Sequence, residues 1–156
     1  MTIRFACEND IPQMLDLLLQ VGEVHHQARP DLFRAGAQKY DEPALKRLLA
    51  DPSRPILAAE IDGKMMGYAF CILQITKNDP VLCDRKVLYI DDLCVDQSVR
   101  GAGVAQALYA RAIEYAKEIG CDALTLNVWC GNDRAMRFYE KCGLKPQKIG
   151  METILN

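Results

Sequence analysis

Between Leu93 and Ala105 the chain reads Leu-Cys-Val-Asp-Gln-Ser-Val-Arg-Gly-Ala-Gly-Val-Ala, and no other run constrains the fold as strongly. An apolar, strand-like stretch, Lys86–Val95, ends inside it. A helix then begins within Gly-x-Gly: over Gly103–Ile119, Val104, Leu108, Ala112, Tyr115 and Ile119 recur on one face. Arg111, Glu114, Lys117 and Glu118 lie elsewhere, and Gly120 stops the helix as a C-cap glycine does. Glycines in such a turn adopt φ values that other residues avoid, and they remove the side chains that keep an anion from the backbone. The first-turn N–H groups of the following helix have no internal partner and sit at the positive end of its dipole. The segment therefore predicts a pyrophosphate-binding turn, with Arg100 as a charged second contact. An ordinary strand–helix turn meets Gly-x-Gly equally well, so this run needs support from elsewhere. Two nucleotide motifs are disfavoured: the chain has no G-x-x-x-x-G-K-[ST], and Gly103 is followed by Val104-Ala105-Gln106 where a dinucleotide fingerprint needs a third glycine.

The rest of the chain supplies the elements around this turn. Thr2–Ala6 reads as a short strand. Asn9 or Asp10 caps a helix over Ile11–Val21, with Pro12 in its first turn and Ile11, Met14, Leu15, Leu18 and Leu19 at helical spacing. A second helix is expected from near Glu23 and a short third over Pro43–Ala50, separated by irregular chain. Pro55–Glu60 and Met65–Ile75 are strands joined at Asp62-Gly63, a strong hairpin signal. Asp122–Val128 is a further strand, Asn132–Lys141 a helix stopped at Gly143, and the tail supplies one or two last strands. The order β-α-α-β-β-β-α-β-α-β describes an α/β protein of the three-layer α+β kind, a mixed sheet flanked by helices. With no repeat, linker or low-complexity tract, residues 1–156 read as one domain.

Composition narrows the function classes. The formal charge of −2 argues against a nucleic-acid binder that neutralises phosphates. Seven cysteines, an odd number with no C-x-x-C pair, read as buried reduced thiols rather than disulfides or a zinc site, so no metal is expected. Met1–Phe5 lacks a charged leader followed by an apolar core, and the longest apolar stretch, Met65–Leu73, is too short to span a bilayer. The expectation is a cytoplasmic protein with no membrane partner, and a homodimer is left open.

Two segments, taken together, go further. Leu-x-Val-x-x-x-x-Arg-Gly-x-Gly-Val-Ala resembles the acetyl-CoA-binding motif of the GNAT family of N-acetyltransferases, whose pattern Q/R-x-x-G-x-G/A is met by Arg100, Gly103 and Ala105. The proline that the family usually carries after the strand is Gln97 here. Downstream, Asn132-Asp133-Arg134-Ala135-Met136-Arg137-Phe138-Tyr139-Glu140-Lys141-Cys142-Gly143-Leu144 resembles the family's N-x-x-A-x-x-F-Y-x-x-x-G-F/L block. The resemblance implies a splayed mixed sheet and acetyl-CoA as acyl donor. It puts the pantetheine arm along Leu93, Cys94 and Val95, the pyrophosphate on Arg100, Gly101, Ala102, Gly103, Val104 and Ala105, and Asn132 near the pantetheine region.

It further implies acetyl transfer to the amine of a small molecule or peptide, the alternative being a CoA-binding sensor without catalysis. Transfer needs a neutral amine and a route to protonate the departing thiolate. Tyr139 is the candidate acid. In the strand that ends at Val95, Asp91 shares a face with Tyr89, Leu93 and Val95 unless a bulge changes the register, which favours Asp91 over Asp92 as base. Asn127 stands where other members place a glutamate base; it cannot take a proton but can bind substrate. Cys94 and Cys130 are weak nucleophile candidates, and direct attack is preferred. The chemically mixed segment Gly22–Tyr40, with His25, His26, Arg29, Asp31, Arg34 and Tyr40, is the candidate acceptor region. The substrate-binding candidates are His25 and Arg29 from this segment, with Tyr89 and Asn127 from the strands.

Overall fold

The computed structural model describes residues 1–155. Its elements run β1 (Thr2–Phe5), α1 (Ile11–Ala28), α2 (Glu42–Leu49), β2 (Ile56–Ile61), β3 (Lys64–Thr76), β4 (Arg85–Val95), α3 (Val104–Glu118), β5 (Ala123–Leu126) and α4 (Asp133–Lys141). The five strands form one sheet in the order β1-β2-β3-β4-β5, antiparallel except for the parallel β4–β5 pair. One core layer packs Met14, Leu17 and Leu18 of α1 and Leu45 of α2 on Ile56, Ala58, Tyr68 and Phe70. The other packs Val104, Leu108 and Ala112 of α3 on Leu57, Ala69, Leu88 and Ile90. Each large apolar side chain taken from water contributes about 1.5–3 kcal/mol, so the sheet is held from both faces.

Two features of β4 shape the cleft. Its pairing with β5 runs from Val87↔Ala123 to Ile90↔Leu126 and stops, while β4 continues to Val95. β5 itself ends at Leu126, which leaves one edge of β4 open beyond Ile90. The β3–β4 register also slips: Cys71 faces Ile90 and Phe70 faces Asp92, so Asp91 bulges out of the ladder. A bulge lets two residues in succession lean toward the same side. Leu93 and Val95 consequently pack with α3, whereas Asp91 and Asp92 both turn to the α1 face, with partners in Lys39, Tyr40 and Tyr68. The face shared by Asp91 and Tyr89 therefore excludes Leu93 and Val95, contrary to plain strand alternation.

Gly67 on β3 lets α3 settle onto the sheet. A Cβ there would meet Cys94 O at 2.9 Å, Val104 Cγ1 at 3.2 Å and Leu108 Cδ1 at 3.3 Å. At the other end, Arg4 clamps three elements. It donates to Asp10 at 2.7 and 2.8 Å and to Glu60 at 2.7 Å, while Cys7 N–H donates to Asp10 at 2.8 Å. Asp10 thus stands at the cap position of α1 but spends its side chain on Arg4 and Cys7.

Three expectations fail. The helices expected over Ile11–Val21 and from Glu23 are one, α1, unbroken through Gly22. Glycine costs a helix about 1 kcal/mol relative to alanine, but here it makes room for a neighbouring loop: a Cβ at Gly22 would lie 2.5 Å from Ala37 O. The tail supplies no strand within residues 144–155. Pro146 lacks a ladder donor, and Ile149, Met151, Ile154 and Leu155 are exposed. Among the cysteines only Cys71 and Cys94 are buried, while Cys7, Cys83 and Cys130 are exposed.

Candidate active site

Beside the open edge of β4 lies a cleft of about 880 Å³ bounded by α1, the Arg29–Tyr40 loop, β4, the start of α3, the end of β5 and α4. Its two halves have different chemistry.

On the α3 side, β4 presents an open backbone edge. Asp96 N–H donates to Met66 O at 2.9 Å, and antiparallel alternation then turns the N–H and C=O groups of Leu93 and Val95 away from β3 toward the cleft. The turn that follows is braced from its first residue. Asp96 accepts from Ser98 N–H at 2.9 Å and from Gln20 Nε2 at 2.8 Å, and Gln97 N–H donates to Gln20 Oε1 at 3.2 Å. A proline at Gln97 could not make that last bond. Gly101 and Gly103 then take φ of 90° and 81°, the left-handed region open to glycine. The N–H groups of Gly101, Gly103, Val104 and Ala105 meet no acceptor among the described residues. Arg100 makes one long bond, Nε to Val95 O at 3.4 Å, and no ion pair among those residues. An anion placed here would find four donors, a helix N-terminus and a guanidinium.

Tyr139 closes this half. It is half-buried on α4, edge-on to Tyr109 with ring centroids 6.4 Å apart. Burial and then the charge of Asp92 push its phenol above the ordinary tyrosine range, so it holds its proton throughout neutral pH. Asn132 caps α4, accepting from Ala135 N–H at 3.2 Å, and its Nδ2 is left for other contacts.

The α1 side carries the carboxylates. Asp92 accepts from Tyr68 Oη at 2.9 Å. Burial raises its pKa, against the Tyr68 hydrogen bond and the charges of His25 and Lys39. Asp91 is ion-paired with Lys39 Nζ at 2.6 Å and lies 3.4 Å from Tyr40 Oη. Asn127 Nδ2 donates to Tyr89 Oη at 3.1 Å, which joins two of the expected substrate contacts on the cleft floor. His25 lines the wall against Phe33, with centroids 5.0 Å apart. Cys94 is buried under α1, where desolvation pushes its thiol up to about 12, well removed from a thiolate nucleophile.

The sequence model of the acetyltransferase (GNAT) family matches residues 21–144. The chain belongs to the GNAT family. An uncharacterized N-acetyltransferase from Bacillus subtilis is 29% identical over the whole chain and 97% of its own length. Another, from Methanocaldococcus jannaschii, is 27% identical over 95% of this chain, which spans only 62% of that relative's length. A crystal structure of a mutant Bacillus halodurans protein superposes with a TM-score of 0.95 at 32% identity, each chain covered in full.

Within this GNAT fold the expected residues gather, with exceptions. Leu93, Cys94, Val95, Arg100, Gly101, Gly103, Val104, Ala105, Asn132 and Tyr139 line one cleft with His25, Tyr89, Asp91 and Asn127. Ala102 and Arg29 do not line it. Arg29 instead pairs with Asp31 and Glu152, both at 2.7 Å, and lies 5.9 Å from the Trp129 ring centre. Sequence reasoning passed over Phe33, Lys39, Trp129 and Arg134, which also line the cleft. Trp129 had one available signal: it is the only tryptophan, two residues beyond Asn127.

Proposed function

We propose that this chain is an N-acetyltransferase that moves the acetyl group of acetyl-CoA to a primary amine by direct attack. One observation carries this reading: a phosphate-ready turn, an open strand edge and a protonated tyrosine converge on the cleft that also holds two carboxylates. The pyrophosphate sits on the free N–H groups of Gly101, Gly103, Val104 and Ala105, with Arg100 as its cation. The pantetheine arm follows the cleft-facing backbone groups of Leu93 and Val95 as an added strand would, near Asn132.

For the base, the geometry favours Asp92 over Asp91. Lys39 already neutralises Asp91, whereas Asp92 is desolvated and close enough to Tyr139 for its charge to act on the phenol. A carboxylate with a raised pKa is a stronger base. The amine nitrogen attacks the thioester carbon and loses a proton toward Asp92, directly or through water. As the carbon–sulfur bond breaks, Tyr139 donates its proton to the CoA sulfur. An acceptor that arrives as an ammonium first releases one proton to solvent; the proton that the neutral nitrogen then loses balances the one gained by sulfur, and solvent exchange restores both side chains. Asn127 and Tyr89 orient the acceptor.

The test is an amine panel run with acetyl-CoA and read as free CoA thiol. Thiol release that depends on amine supports the reading; acetyl-CoA binding without release for any amine assigns the chain to CoA sensing instead.

A further inference from the structure

The acceptor half of the cleft bears on which amines fit, a question that rests on the transferase reading above. We infer that the acceptor is a primary amine with a single positive charge and a flat, apolar body, and that polycationic amines are poor acceptors.

Charge argues the first part. The only carboxylates among the described residues lining the cleft are Asp91 and Asp92. Asp91 is taken by Lys39 at 2.6 Å, and Asp92 accepts from Tyr68. Arg34 lines the same half with no ion pair among the described residues. Of the four Lys and Arg side chains lining the cleft, Lys39 is matched by Asp91, while Arg34, Arg100 and Arg134 have no carboxylate partner among the described residues. A single ammonium meets Asp92; second and third ammonium groups meet Arg34 and Lys39, where like charges repel.

The walls argue the second part. Trp129 stands edge-on to Phe33 with centroids 5.3 Å apart, and Phe33 stacks on His25 at 5.0 Å. Trp129 is 45% exposed, an unusual state for so large an apolar surface. It is nevertheless held in place: Arg29 lies 5.9 Å from its ring centre and is fixed by Asp31 and Glu152. Arg29, expected to touch substrate, is in this account a positioning residue for the tryptophan. Val21, Val24, Leu126 and Val128 complete an apolar lining beside the rings. A planar body covers these surfaces and leaves its amine over Asp92.

The experiment compares 2-phenylethylamine with spermidine at fixed ionic strength, by thiol release and by calorimetric binding to the CoA-saturated protein. 2-Phenylethylamine should exceed spermidine at least about tenfold in kcat/KM and in affinity. Lys39→Met frees Asp91 and should raise spermidine about tenfold while leaving the KM of acetyl-CoA unchanged. Trp129→Ala should lower 2-phenylethylamine about tenfold and leave spermidine unmoved. Spermidine equal to or better than 2-phenylethylamine in the wild-type protein overturns the inference, as does an absence of 2-phenylethylamine binding. Selective binding of 2-phenylethylamine without turnover sustains the acceptor class and sinks the transferase reading instead.

Discussion

Replacing Gly67 with alanine probes the joint on which the cofactor half depends. The new methyl would stand 2.9 Å from Cys94 O on the neighbouring strand, 3.2 Å from Val104 Cγ1 and 3.3 Å from Leu108 Cδ1. Comfortable contact needs roughly 0.3–0.5 Å of relief at each. The strand carbonyl is held in the ladder, so the relief falls on α3, whose first residue is Val104. Overpacking of this size costs about 1–3 kcal/mol. At about 2 kcal/mol, a chain of this length loses roughly 4–8 °C in Tm. Lifting α3 also carries its free N–H groups away from the open edge of β4, and acetyl-CoA should bind about tenfold more weakly. Thermal unfolding and calorimetric titration of acetyl-CoA read the two effects separately. A lowered Tm with acetyl-CoA affinity within about twofold of wild type would break the proposed link between Gly67 and the cofactor site.

Gly22→Ala improves the helix propensity of α1 by about 1 kcal/mol, yet sets a Cβ 2.5 Å from Ala37 O. The Arg29–Tyr40 loop must move, so the KM of the amine should rise while that of acetyl-CoA holds; equal change in both refutes the separation of the two halves. Arg4→Ala leaves Asp10, 4% exposed, without its cation; with Arg4 itself a third exposed, the cost should be about 2–3 kcal/mol in urea unfolding. Arg4 holds the folded pKa of Asp10 below its unfolded value, so this stability is present above about pH 4 and lost as pH falls through the lower folded pKa. The variant should lack that acid loss, and an unchanged pH slope counts against the assignment. Asp92→Asn should lower kcat about 10²–10⁴-fold and remove the acid limb of its pH profile. That limb lies above the ordinary carboxylate range because burial raises the Asp92 pKa. A limb that survives in Asp92→Asn and vanishes in Asp91→Asn reverses the two roles.

The cofactor half was legible in the sequence because its determinants are local. Gly101 and Gly103 lie within one turn, Asn132 and Tyr139 within one helix, and each segment carries its own pattern. The acceptor half depends on contacts between distant residues. Lys39 and Asp91 are 52 positions apart. The bulge at Asp91 exists only in the pairing with β3, and this pairing, which the β4 sequence alone does not contain, turned both carboxylates to one face. Gly22 read as a helix break because propensity ignores what packs against it; the carbonyl of Ala37 decides the matter. Arg29 read as a substrate contact because its partners, Glu152 and Trp129, are a hundred or more residues away in the chain.

The most direct test of the cofactor site is calorimetric titration of acetyl-CoA into Gly103→Glu beside Gly103→Gln. Gly103 has φ of 81° and open space where a Cβ would stand, so both side chains fit, at the same backbone strain and nearly the same size. They differ in one negative charge. Two like charges about 4 Å apart near a protein surface interact by about 4 kcal/mol. If the turn holds the pyrophosphate, the glutamate variant should bind at least about tenfold more weakly than the glutamine variant, a gap that narrows with salt. Equal affinities would contradict the placement of the pyrophosphate on this turn.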